Sequence, residues 1–227
     1  MGSRLNPEVL SHYDTGLEQE RLLRGAGELE RARIQDLLAR VLPPAPAIVI
    51  DVGGGAGVHA LWLAERGYEV HLVDAVPLHV EQARVASAGA DRPLASISLG
   101  DARELAWPDE HADAVLLFGP LYHLVERADR LRALREAHRV VRRGGLVLTA
   151  AVSRAARRDD RGGAPRRALG RRRRPRVLAA GFDGMWADVT QREWLLDTLR
   201  SIEEEPMVVA ASAHPVGVGR RLGVGGI

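Results

Sequence analysis

Four glycines fall within the five positions 53–57, between an apolar run and an amphipathic one, in the stretch IVIDVGGGAGVHALWLAERGYEVHLVDA. Glycine reaches positive φ without steric cost and lets a ligand approach bare backbone, so a cluster at a strand-to-helix junction is a common nucleotide cradle. Residues 47–50 read as a buried strand. From 58 to 66 the apolar positions Ala60, Leu61, Leu63 and Ala64 recur at helical spacing, and Gly67 supplies a stop. A second strand is predicted over 69–73, ending in Asp74. Strand, glycine turn, helix and strand make half of a doubly wound, mostly parallel α/β sheet.

Two cofactor classes compete for such a unit, and a tight turn that binds nothing is the third reading. Residues 55–60, GAGVHA, satisfy the dinucleotide fingerprint GxGxxG/A, and Asp74 sits at the spacing of an acid that binds ribose hydroxyls. Asp51 closes the first strand, however, and makes the run D-V-G-G-G-A-G. A carboxylate at that strand end suits a cationic ligand and repels a diphosphate. With that acid the stretch resembles motif I (DxGxGxG) of the class I S-adenosylmethionine-dependent methyltransferases, whose cofactor carries a positive amino-acid moiety and no pyrophosphate.

The resemblance extends over residues 45–153. After a helix around 78–87 come a third strand ending at Gly100-Asp101 in a GDA run and a fourth over 112–118. RADRLRALREAHRVVRRGGLVLTAAVS then reads as a long amphipathic helix, a turn at Gly144-Gly145 and a fifth strand, with Arg143 where the family usually has proline.

By resemblance, the backbone at Gly53, Gly55 and Gly57 cradles the methionine part of S-adenosylmethionine, and Asp51 anchors its ammonium. Asp74, with Ala75 beside it, accepts both ribose hydroxyls. Asp101 accepts from the adenine amino group, Ala102 donates through its backbone, and Phe118 adjoins the cofactor after the fourth strand. Tyr13 matches a tyrosine that covers the cofactor mouth, or is merely buried. Each acid at a strand end has the alternative of capping the next helix.

The substrate side is FGPLYHL, residues 118–124, where His123 is placed to act as base or orient a hydroxyl and Tyr122 to line the pocket. Packed side chains with no catalytic part are the competing reading. The run is not the (D/N)PPY signature of amino-methylating nucleic-acid enzymes, which points to a small-molecule acceptor methylated at oxygen or nitrogen, with no metal. A cofactor-binding protein without turnover and an NAD(P)-dependent oxidoreductase are the alternatives.

Composition bounds the rest. A chain of 227 residues supports one domain with a sizeable core, as a monomer or homodimer. There is no cysteine, which excludes disulfides and thiolate metal sites. No apolar stretch is long enough to span a bilayer and the start lacks a signal-peptide core, so a soluble cytoplasmic protein with no membrane partner is expected. Lysine is absent. Residues 154–181 hold eleven arginines and two aspartates, a local +9 in a chain whose total is +2, so the remainder carries −7. Three readings stay open for this segment: a basic arm for nucleic acid or an anionic substrate, a solvated loop, or an out-of-frame remnant of a GC-rich gene, since 23 of its 28 residues are Arg, Ala, Gly or Pro. It has no interleaved aromatics for base stacking, which argues against nucleic acid.

The expected organisation is therefore a helical cap over 1–44, the core over 45–153, the Arg-rich irregular segment 154–181, and a C-terminal helix and strand over 182–227. Within these, Gly25 and Gly27 separate two N-terminal helical segments, Thr190 caps the C-terminal helix, and Pro215 demotes the second half of the last strand to an edge.

Overall fold

The computed structural model describes residues 26–150, 186–202 and 216–222. In chain order the described elements are α1 (Ala26–Val41), β1 (Ile48–Val52), α2 (Val58–Glu65), β2 (Glu69–Asp74), α3 (Pro77–Ala88), β3 (Ser96–Leu99), β4 (Ala112–Leu117), α4 (Pro120–His123), α5 (Arg127–Val140), β5 (Val141–Ala150), α6 (Val189–Ile202) and β6 (Val216–Arg220). The strands form one sheet in the order β3-β2-β1-β4-β5-β6. The first five are parallel and β6 runs antiparallel to β5. This is the doubly wound architecture expected from the glycine unit.

The central strands carry near-continuous apolar runs because both faces are covered. On one face Ile34 and Leu38 of α1, spaced four apart, join Ala60 and Leu63 of α2 against Val49, Leu72 and Leu116. On the other, Ala133, Ala137 and Val140 of α5 lie on Ile50, Val52, Val115 and Leu117. Small side chains on α5 let its axis approach the sheet closely. Burial of such side chains contributes roughly 1.5–3 kcal/mol each, the main force holding the layers together.

Arginine does much of the remaining joining. Arg221, just past β6, donates to the backbone oxygens of His138, Arg139 and Val141 at 2.8, 3.0 and 2.7 Å, closing the end of α5, and to Glu110 Oε1 at 3.0 Å. Without such a partner the last carbonyls of a helix go unsatisfied.

Several local expectations shift. Gly27 lies in the first turn of α1 as described, and Gly25, with the helical segment expected before it, lies outside the described residues. At α6 the cap is Asp188: its Oδ1 accepts from Gln191 N at 3.0 Å, and Thr190 is already within the helix. β6, over Val216–Arg220, is the edge strand of the sheet and pairs with β5 alone, as expected of the part after Pro215; Pro215 itself lies outside the described residues. The expected turn at Gly144-Gly145 is present, with Gly144 at φ 76°, as a register shift in the β4–β5 pairing that skips from Val141 to Leu146. The first N-terminal helical segment, Tyr13, the Arg-rich segment and residues 207–215 lie outside the described residues.

Candidate active site at the sheet's switch point

From β1 the chain proceeds outward through β2 and β3 on one side. From β4 it proceeds through β5 and β6 on the other. At such a switch point the loops leave in opposite directions and a crevice opens at the carboxyl ends of the strands. The best-formed cleft of the described residues lies there, walled by the turn after β1, the ends of β2 and β4, the loop after β3, α4, and Glu30 and Ile34 of α1.

The glycine turn is built as its composition requires. Gly53, Gly55 and Gly57 sit at φ 72°, 58° and 86°, a region that side-chain-bearing residues adopt only with strain. Around a Cβ placed on Gly55 nothing lies within 4 Å, so the turn offers bare backbone to open cleft. Gly53 and Gly55 are on the cleft wall. Gly57 is turned away: its face meets Leu72, Ala83 and Leu61, and it leads the chain into α2.

Beneath the turn lies Asp51, 3 % exposed. Burial and the nearby charge of Asp74 push its carboxyl up to about 7. Asp74, at the end of β2, is equally enclosed. Its Oδ2 accepts from Gly55 N at 2.9 Å, and its Oδ1 accepts from Val76 N at 2.8 Å and lies 3.2 Å from His79 Nδ1. Three of about four acceptor directions of the carboxylate are thereby used. As it stands Asp74 has room for one further donor, and a second ribose hydroxyl would need Gly55 or His79 to give way. Ala75, Asp101 and Ala102 complete this end of the cleft. For Asp101, burial alone would raise the carboxyl, but the hydrogen bonds and charge of Arg103 outweigh it and hold the group below the usual carboxylate range.

At the other end, Phe118, Tyr122 and His123 all reach the cleft wall, and the Tyr122 and His123 rings lie 4.6 Å apart. Pro120 opens α4 directly against the glycine turn, where a Cβ on Gly53 would meet its Cδ at 2.7 Å. The two loops that frame the switch point are thus packed on each other.

Among the cleft residues not singled out from the sequence are Glu30 and two histidines. His59, on the first turn of α2, packs edge-on to Phe118 with centroids 6.1 Å apart. Burial, partly offset by Glu30 and reinforced by Arg31, drives its imidazole down to about 4, so it is neutral near pH 7. His79 braces Asp74 from the first turn of α3. Both had a usable signal: each sits on the first turn of a helix that follows a ligand loop, and that turn faces the crevice.

Comparisons with known proteins show what this chain is similar to. Residues 50–149 match the methyltransferase domain family. An uncharacterized methyltransferase of Mycobacterium tuberculosis is 37 % identical over 107 residues, 47 % of this chain and 40 % of the relative. A ubiquinone/menaquinone biosynthesis C-methyltransferase of a Caulobacter species is 31 % identical over 132 residues, 54 % of this chain and 51 % of the relative. The chain therefore spans about half or less of the length of these relatives. A solved Pyrococcus horikoshii protein shares the fold, with a TM-score of 0.52 and 23 % identity, covering 58 % of this chain and 57 % of that one.

Proposed function

We propose that this chain, whose residues 50–149 match the methyltransferase domain family, is a class I S-adenosylmethionine-dependent methyltransferase that binds its cofactor at the switch-point cleft and methylates a small-molecule acceptor. One observation carries the reading most directly. The described cleft wall holds Glu30, Asp51, Asp74 and Asp101 and not one arginine, in a chain whose 32 basic residues are all arginine. An acidic wall of this kind attracts a cationic ligand and repels a pyrophosphate, which is the charge test separating S-adenosylmethionine from NAD(P).

The residues present fit the group. The open side of Gly55 accommodates ligand against backbone. Asp51 meets the ammonium, and its enclosure makes the pair worth more than it would be in water. Asp74 takes a ribose hydroxyl on its remaining acceptor direction while holding the turn through Gly55 N. Asp101 takes the adenine amino group. When bound, the cofactor supplies an electrophilic methyl on a positively charged sulfur. The protein's share of the work is then mostly positioning, which in well-aligned cases supplies roughly 7–11 kcal/mol of a barrier. Tyr122 and His123 line the acceptor side, His123 taking up the acceptor proton where the nucleophile must lose one.

The acceptor atom is read as oxygen or nitrogen on the strength of His123. A second reading, carbon, is supported by the C-methyltransferase named among the relatives. Equilibrium titration with S-adenosylmethionine, S-adenosylhomocysteine and NAD tests the cofactor: micromolar binding of the first two is expected, and preference for NAD overturns the proposal. Transfer of labelled methyl into a fractionated metabolite extract, followed by identification of the bonded atom, separates turnover from mere binding and oxygen or nitrogen from carbon.

A further inference from the structure

The loop after β3 contains a charge triad that the cofactor reading leaves unexplained. Arg103 donates to Asp101 Oδ1 from its backbone N and from Nε, both at 2.9 Å, and to Oδ2 from Nη2 at 2.6 Å, with Nε also 3.1 Å from Oδ2. Its remaining arm, Nη1, donates to Asp129 Oδ2 at 2.7 Å, in the first turn of α5. The guanidinium is the enclosed member, at 12 % side-chain exposure against 39 % for Asp101 and 35 % for Asp129. Arg103 itself is not on the cleft wall, whereas Asp101 is.

We propose that Arg103 is a positioning residue which, braced by Asp129, makes the cleft select a purine bearing a 6-amino group by fixing how Asp101 is presented; this rests on the reading of Asp101 as the adenine contact. A carboxylate offers about four acceptor directions. Arg103 brings three N–H donors, its backbone N to Oδ1, Nε shared between the two oxygens and Nη2 to Oδ2, so one direction remains. That one can accept a single N–H. The planar fork of arginine fixes the carboxylate's plane as well as its charge, which a point charge would not do. Kept ionised, the acid has no proton to give, so a 6-oxo ring meets it lone pair against lone pair. Released from the fork, an acid exposed to this degree can rotate or take a water between itself and the ring, and the discrimination is lost. The brace matters because Arg103 lies in the loop that joins β3 to β4, while Asp129 is anchored on a helix packed on the sheet.

The test is calorimetric titration of the full chain with S-adenosylhomocysteine and S-inosylhomocysteine, which differ in a 6-amino against a 6-oxo group and in the N1 proton that the 6-oxo ring carries. The wild type is expected to favour the adenosine compound by roughly a hundredfold or more, since a site built around one hydrogen bond rejects the ligand that cannot make it. In Arg103→Met that ratio is expected to fall to within about tenfold, chiefly through weaker adenosine binding. Arg103→Lys, which keeps the charge without the fork, should fall between the two. Adding Asp101→Asn to Arg103→Met should lower the ratio no further, as expected when one residue acts through the other. An unchanged ratio with both affinities reduced alike would make Arg103 a purely structural residue and overturn the inference. If Arg103→Met does not fold, Asp129→Asn takes its place: a narrowed ratio supports the brace, and an unchanged one overturns it. A wild type that binds neither compound removes the methyltransferase reading itself, a result distinct from binding without selection.

Discussion

At the carboxyl ends of the strands Asp51, Asp74 and Asp101 gather with no arginine among the described residues of the cleft wall, whereas at the amino ends of β4 and β5 the acids are bound by shared arginines. There Arg139 binds Glu136 Oε2 at 2.8 Å and Asp109 Oδ1 at 2.9 Å, together with the backbone oxygens of Leu105 and Trp107. Arg221 and Arg143 share Glu110. Both regions draw on the same residue types. In one the counter-charge is built into the chain and the result is stability. In the other, Asp101 alone has an arginine, Arg103 behind the cleft wall, while none is supplied to Asp51, which burial and Asp74 leave strained toward neutrality.

The sharpest way to break the contrast is to fill the cleft without touching its charges. Gly55→Val places a branched side chain where nothing lies within 4 Å, so the added bulk meets ligand before it meets protein. S-adenosylhomocysteine affinity is expected to drop on the order of a thousandfold, about 4 kcal/mol, measured by titration. The φ of 58° adds a stability loss of about 1–2 kcal/mol. Tight binding retained by a folded variant would mean that the turn is not the cradle.

Next in size is the stability held back by Asp51. Its carboxyl is raised in the folded state from 3.8 to about 7. The native protein therefore binds this proton more tightly than the unfolded chain does. The favourable contribution is fully present below pH 4 and is lost as pH rises through 7. Asp51→Asn should accordingly stabilise the ligand-free protein at pH 8 by about 2–3 kcal/mol relative to wild type, with little gain at pH 4, as read from urea denaturation at the two pH values. The same change should weaken cofactor binding and flatten its pH dependence, because wild-type affinity falls below pH 7 as Asp51 is protonated. Equal stability of the two proteins at pH 8 would show that the acid is already compensated within the fold.

On the paired side the sign reverses. Arg139→Ala removes the donors to two carbonyls and two acids, and is expected to cost about 2 kcal/mol at neutral pH while leaving cofactor affinity within a factor of two. A large affinity change with unchanged denaturation midpoint would erase the distinction between the two regions.

The smallest effect is the most local. Asp74→Ala removes the acceptor for Gly55 N and for Val76 N as well as the proposed ribose contact, and should weaken cofactor binding by at least about tenfold, near 1.4 kcal/mol. Binding of 5′-deoxy-5′-methylthioadenosine should fall in parallel because it keeps the ribose. Unchanged affinity for both would place the ribose elsewhere.

Much of this was written locally in the chain. The run from Asp51 to Gly57, the alternation from apolar strand to 3.6-period helix, the acid closing β2 and the GDA run at residues 100–102 depend on neighbours a few residues apart, and they specified the α/β unit, its turn and three of the acids on the cleft wall. What the sequence left open depends on which distant elements become adjacent. The rise of Asp51 requires burial beneath the turn and the approach of Asp74 from a different strand. Gly57 matched the motif as well as Gly55 did, and only the packing of α2 on Leu72 and Ala83 turned it away from the cleft. Arg103 reads as one of many surface arginines until α5 brings Asp129, 26 positions on, to its free arm. Arg221 and Glu110, 111 positions apart, meet only because β6 pairs beside β5. Periodicity and turn chemistry act over a few residues, while burial and the matching of charges are properties of the assembled sheet.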